Sequence, residues 1–167
     1  MAMDPEDFQS FVVSRGAHLY RTACLLTGGD THLAEDLVQE ALSRVFPRWG
    51  RRWNIDNPSA YAQTVLVNVF LSQRRKKSSS ELPTAQVADS PATGDNAALR
   101  MTLLDALAGL SELDRAVLVL RYWEDRSVEE TAAALELKAG TVRARSSRAL
   151  VRVREILGAD FAEFAES

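Results

Sequence analysis

Residues 127–157 read SVEETAAALELKAGTVRARSSRALVRVREIL, and this stretch decides the fold. It divides into two helical segments, SVEETAAAL and TVRARSSRALVRVREIL, separated by the five-residue joint ELKAG. Ser127 and Glu130 have the S-x-x-E spacing of a capping box, which starts the first segment. The second carries Arg143, Arg145, Arg148, Arg152 and Arg154 with no acidic residue before Glu155. A cationic helix held against a partner helix by a tight turn fits a DNA major groove, its side chains reaching base edges and flanking phosphates. Ala132, Leu135, Leu137 and Val142 fall where such a pair buries its contact, and Gly140 lets the helix start approach a phosphate closely. The competing reading is an ordinary helical hairpin with a solvated arginine face, although solvated faces usually interleave acids.

Upstream, Leu99, Leu103, Ala106, Leu107 and Leu110 mark a helix, and Ser111 caps another containing Leu113, Ala116, Val117 and Leu120. From Ser78 to Asn96 the chain is rich in Ser, Pro, Ala, Thr, Gly and Asp and has no aromatic residue, which is a linker composition. Before it, Phe8, Phe11, Val12, Leu19, Ala23 and Leu26 recur at helical spacing until the Gly28-Gly29 break. Asp30 caps a second helix whose strip Leu33, Leu37, Ala41 and Val45 runs to Pro47, with Asp36, Gln39 and Glu40 largely off the strip. Asn57 and Pro58 then begin a third helix with Tyr61, Val65, Leu66, Val69 and Phe70 as its apolar positions, ending near Lys77. No strand pattern and no internal repeat occur. The expected fold class is all-α: two small helical domains, 1–77 and 97–160, joined by a flexible linker over 78–96. A linker of that length spans roughly 25 Å root-mean-square, so the two halves need not touch.

Composition is that of a globular chain: 167 residues, 46% of them hydrophobic. The single cysteine, Cys24, cannot make an internal disulfide and reads as a small core residue, and no Cys/His cluster has zinc-ligand spacing. No apolar run approaches the ~20 residues of a membrane span, and Met1 to Ser10 is acidic where a signal peptide is basic. These features point to a cytoplasmic protein without metal or cofactor. The net charge of −3 disfavours a DNA partner at first sight. Distribution matters more: residues 1–40 hold seven acids against Arg15 and Arg21, whereas 48–77 hold seven Lys/Arg against Asp56 alone. Acidic ground between two basic patches weakens unaided DNA binding, so something else has to bring the chain to DNA.

In the first half, Trp49, Trp53 and Tyr61 accompany Arg51, Arg52 and the cluster Arg74 to Lys77, the mixture expected of a single-strand DNA site. Tryptophans at a domain edge also serve as packing residues, and a basic helix end also complements the helix dipole. Asn68 is open to two readings, a hydrogen bond to an extruded base or a satisfied core amide. Asp36, Gln39 and Glu40 have neither metal-site nor catalytic-pair spacing and read by themselves as solvated surface. His18 and His32 have no nucleophile motif nearby. No catalytic site is apparent, and the chain is not expected to be an enzyme.

The order of these parts resembles the extracytoplasmic-function sigma factors of bacteria, members of the sigma-70 family. LTGGDTHLAEDLVQEAL, NPSAYAQTVLVN, LRYWEDRSVEETAAAL and the terminal GTVRAR carry the resemblance, which spans nearly the whole chain and looks closest to an actinobacterial-type subgroup. It implies a promoter-specificity subunit that binds core RNA polymerase, recognises −35 and −10 elements and melts the −10 region. The first domain then corresponds to sigma region 2 and the second to the region 4 helix-turn-helix. Asp36, Gln39 and Glu40 match the positions that dock on the β′ subunit, and β is a further partner. Residues 48–58, with Arg51, Arg52 and Trp53, match the loop that together with Asn68 receives a flipped −10 base, flanked by Tyr61, Arg74 and Arg75. Lys138, Gly140, Thr141, Arg143, Arg145 and Arg148 match the −35 recognition helix. The acidic linker is similar to linkers that run through the nucleic-acid channels of the core. An anti-sigma factor is one more partner the resemblance admits.

Five departures stand out. Lys138 takes the place of a usual Ser cap, Glu136 replaces a frequent turn glycine, Arg126 and Ser146 replace usual leucines, and Ser72 replaces a common aspartate. The leucine replacements predict a less apolar core in the second domain and lower local stability. Two other function classes remain: a stand-alone helix-turn-helix regulator acting as a dimer on two half-sites, and a helical adaptor that sequesters another regulator.

Overall fold

The computed structural model describes residues 5–49, 57–80 and 95–165, with side chains described for all of these except 5–6, 74–80, 95–97, 99–101 and 159–165. The described elements are α1 (Pro5–Leu26), α2 (Thr31–Trp49), α3 (Pro58–Ser80), α4 (Asp95–Ala108), α5 (Glu112–Leu118) with a π turn over Val119–Trp123, α6 (Val128–Leu135) and α7 (Ala139–Ala165). No strand occurs among the described residues. Contacts divide the chain into two compact units, Met1–Cys24 with Asp30–Gln86, and Leu25–Gly29 with Val87–Ser167.

In the first unit, helix starts follow the sequence closely. The Asp30 carboxylate accepts the Leu33 N–H at 3.0 Å, and the Asn57 side-chain oxygen accepts the Ala60 N–H at 3.1 Å. Each bond satisfies one of the donors that a helix N-terminus leaves over. Leu37, Ala41 and Val45 are buried on α2, and Ala62, Leu66, Val67, Val69 and Phe70 on α3, where the two helices pack together. The expected α3 face is corrected slightly: Tyr61 and Val65 are only half-buried, while Ala62 and Val67 are buried.

Pro47 does not end α2, which continues to Trp49. Proline removes one helical hydrogen bond and crowds the carbonyl four residues back. Packing at the helix end opposes that loss: the Trp49 ring lies 4.9 Å from the Phe11 ring and 5.3 Å from the Phe8 ring.

In the second unit, Ser111 Oγ accepts the Asp114 N–H at 3.2 Å and starts α5. Arg115 is buried and donates from Nη2 to the carbonyls of Leu110 (3.0 Å) and Ala108 (3.4 Å), satisfying oxygens left over where α4 ends. Ala106, Leu107, Leu110, Leu118, Ala149 and Val153 form one core cluster. Val117, Ala132 and Val142 form another, with Val128, Leu135 and Leu137 packed against it. The contact expected between the two helices of 127–157 is therefore present.

The capping box is closed on both sides: Ser127 Oγ accepts the Glu130 N–H at 3.0 Å, and Glu130 Oε1 accepts the Ser127 N–H at 2.8 Å. Donation from the Ser127 backbone holds the Glu130 carboxyl below its ordinary range. A depressed folded-state value means the stabilisation is complete above the ordinary carboxylate range and is lost as pH falls through the lower folded value. The joint is shorter than expected, because α7 begins at Ala139 and Lys138 stands at its cap, its carbonyl accepting the Val142 N–H. α7 also passes Gly158 instead of ending near Leu157. One glycine weakens a helix by ~1 kcal/mol but does not end it.

Glu136 ends α6 with φ 56° and ψ 44°, the left-handed conformation that a turn glycine adopts freely. Glu136→Gly should therefore stabilise the second unit by about 0.5–1 kcal/mol despite losing a side chain. Urea unfolding of the two chains checks this; an unchanged or lower midpoint would show that the strain is absorbed elsewhere.

Candidate nucleic-acid interface

Burial divides α7 lengthwise. Val142, Ser146, Ala149 and Val153 are buried, whereas Gly140, Arg143, Ala144, Ser147, Arg148 and Val151 are exposed. Both sets follow spacings of three and four, which places them on opposite sides of one helix. Lys138 is exposed at the cap and Thr141 is half-buried at the helix start.

The exposed strip carries Arg143 and Arg148 among small residues, so the backbone can approach a groove closely. Arg143 Nη2 lies 3.4 Å from Glu129 Oε1, with both side chains more than half exposed. Such a pair is worth little in water and exchanges readily for a phosphate. Arg145 is placed differently. Its Nη1 donates to Asp114 Oδ1 at 2.7 Å, and the two side chains are 31% and 25% exposed. Arg152 and Arg154 are exposed farther along.

Sequence reasoning missed Ala144, Ser147 and Val151 on this strip, and Val151 is 50% exposed. Stepping three or four residues at a time from Arg148 would have found them. Small and methyl-bearing side chains of this kind can contact thymine methyl groups.

The two leucine replacements lie where the sequence predicted a loss of apolar contact. Ser146 is buried, and its hydroxyl has no hydrogen-bond partner among the described residues. Arg126 is half-buried, and desolvation pushes its guanidinium below the ordinary arginine range. Its backbone carbonyl accepts a hydrogen bond from Arg121 Nη1.

On the first unit, Asp36 and Gln39 are exposed on α2, and Glu40 is half-buried with Oε1 3.2 Å from Arg44 Nη2. Ser43 and Phe46 continue the Asp36–Gln39 face by helical spacing, and Phe46 is 49% exposed. Asn68 is exposed on α3, which removes the core-amide reading. Tyr61 is half-buried. Trp49 is buried among Phe8 and Phe11 and is a packing residue. Arg51, Arg52 and Trp53 lie outside the described residues. Arg74 and Arg75 belong to α3, with their side chains outside the description.

Two regions of the chain match known families in order: residues 11–80 match Sigma-70 region 2, and residues 106–155 match Sigma-70, region 4. The chain is 40% identical over 154 residues to the RNA polymerase sigma-E factor of Streptomyces coelicolor, across 90% of this chain and 86% of that protein. It is 34% identical over 145 residues to the ECF RNA polymerase sigma factor SigL of Mycobacterium tuberculosis, across 83% and 81% of the two chains. Among solved structures, the sigma factor RpoE of Bartonella quintana, in complex with the anti-sigma factor NepR, superposes with a TM-score of 0.73 at 26% identity and covers 93% of this chain and 99% of that one. These likenesses define an all-helical transcription initiation protein with sigma region 2 followed by region 4. The chain belongs to the extracytoplasmic-function sigma factors of the sigma-70 family, of the actinobacterial type, whose members direct core RNA polymerase to promoters.

Removing the Ser146 hydroxyl should help the unit beneath the exposed strip. Ser146→Ala is expected to raise its unfolding free energy by about 1 kcal/mol, since a buried hydroxyl without a partner carries a desolvation penalty of that order. Thermal unfolding followed by circular dichroism measures it; a lower midpoint would show that the hydroxyl is satisfied in solution.

Proposed function

We propose that this sigma factor reads the −35 element through α7 and the −10 element through α3 and the 48–58 segment, and that it holds core polymerase through α2. On α7, Arg143 and Arg148 with Gly140, Ala144 and Ser147 face the −35 major groove, and Lys138 and Thr141 meet the phosphates beside the helix start. One observation carries this assignment: the cationic strip of α7 is exposed along its length while the opposite face is buried in the unit's core. On the first unit, Asn68, Tyr61, Arg51, Arg52, Trp53, Arg74 and Arg75 form the −10 site. A base extruded into a pocket there compensates a few kcal/mol of unstacking, so binding can open the duplex without ATP. The exposure of Asn68 on a helix that carries the basic run Arg74 to Lys77 in its last turns supports this.

Asp36, Gln39 and Glu40 dock on β′, and their placement on one side of α2 supports that role. The boundaries 1–77, 78–96 and 97–160 stay the proposed ones for region 2, linker and region 4, with α3 running three residues past Lys77 to Ser80 and α4 beginning at Asp95. The polymerase supplies the chemistry and its metal ions; this chain contributes binding and positioning. The chain acts in the cytoplasm in this reading, in keeping with the finding that no helix among the described residues is long and apolar enough to cross a membrane. An anti-sigma factor is a further partner, supported by the likeness to the Bartonella quintana complex.

Asp36→Arg reverses a charge on an exposed position, so it should abolish capture of core polymerase while leaving the circular dichroism spectrum and unfolding midpoint unchanged. Undiminished capture would remove Asp36 from the docking face. Arg148→Ala should weaken binding of the reconstituted holoenzyme to a cognate −35 duplex by about 1–3 kcal/mol. The same loss on a scrambled −35 sequence would make Arg148 a phosphate contact.

A further inference from the structure

The five arginines of α7 look interchangeable in sequence, but their surroundings differ. Arg143 has a long, exposed ion pair that DNA can replace. Arg145 faces the side of α7 that adjoins α5. It lies three residues after Val142 and next to Ser146, both buried, and its Nε is itself buried with no hydrogen-bond partner among the described residues. Its Nη1 reaches Asp114 Oδ1 at 2.7 Å, the short distance of a charge-assisted bond. The backbone that carries Asp114 is anchored in turn, because its N–H donates to Ser111 Oγ at the start of α5. For Arg145 to contact a base, this bond would have to break and leave a carboxylate unpaired near a strand of phosphates. Repulsion from that carboxylate opposes the exchange.

We propose that Arg145 is a positioning residue: through Asp114 it locks the recognition helix to α5 and sets the angle at which Arg143 and Arg148 enter the groove. The proposal deepens the reading of α7 as the −35 helix and rests on it. Asp114 then has a defined part in promoter recognition without touching DNA. The pair also keeps a negative charge at the edge of the interface neutralised.

The test uses the full chain bound to core polymerase and a fluorescent promoter duplex, with affinity measured across a salt series at a temperature where each variant is folded by circular dichroism. Arg145→Ala and Asp114→Ala should each weaken promoter binding about fivefold, the scale of one partly exposed ion pair. Neither should change the salt slope, the base preference at any single −35 position or the capture of core. The reciprocal exchange Asp114→Arg with Arg145→Asp should recover most of the affinity, and it remains decisive if a single variant fails to fold. The proposal is overturned if Arg145→Ala lowers the salt slope by about one, as loss of a phosphate contact would. It is equally overturned if discrimination disappears at one base pair, or if the exchanged pair binds no better than Arg145→Ala. Wild-type holoenzyme is measured first on cognate and scrambled −35 duplexes. Equal affinity there removes the reading of α7 itself, and the proposal with it, before any variant is compared.

Discussion

The second unit depends on the burial of Val142 against Val117 and Ala132. Burying a valine side chain contributes about 1.5–3 kcal/mol, modest in size but directional here, because it fixes which side of α7 faces inward. Once Val142 is seated, helical geometry turns Gly140, Arg143, Ala144, Ser147 and Arg148 outward. The capping box at Ser127 and the left-handed residue Glu136 hold α6 and the joint so that Val142 meets its partners. A substitution that unseats Val142 would rotate the whole cationic strip, which no single arginine could correct.

Charge fits the proposal that this strip acts within a larger assembly. The chain carries a net charge of −3, with seven acids against two arginines in its first forty residues and its cations concentrated over 48–77 and along α7. Affinity for DNA from a few phosphate contacts falls steeply with salt, and the acidic surface opposes approach at long range. Attachment to polymerase removes most of that handicap, because two weak contacts on one tethered chain are made at high effective concentration. Surface pairs such as Arg143 with Glu129 suit this situation. They neutralise arginines in the free protein and cost little to break, as the proposed DNA contact requires.

Local signals were the most legible part of the sequence. Asp30, Asn57, Ser111 and Ser127 each cap the helix expected of them, because a capping hydrogen bond involves residues three apart and little else. Pro47 was less legible, since packing of Trp49 against Phe8 and Phe11 offsets a local preference of about 3 kcal/mol; Gly158 was too, because one glycine costs only ~1 kcal/mol and does not stop a helix. On α7, residue type marked the cationic helix but not the different surroundings of its arginines. Arg145 and Arg148 are the same residue three positions apart, yet one lies beside Asp114 and the other is exposed. That difference depends on an acid 31 positions away in sequence. The exposure of Asn68 likewise removes the core-amide reading, which composition left level with the other, and its base contact stands as a proposal.

The most direct measurement of the central claim is run-off transcription from a genomic promoter library with purified core polymerase and this chain. The account predicts transcripts that start at a fixed distance downstream of two unlike sequence elements, and none when either component is omitted. Failure of the chain to associate with core, together with selection of a palindromic site by a symmetric pair of chains, would contradict it.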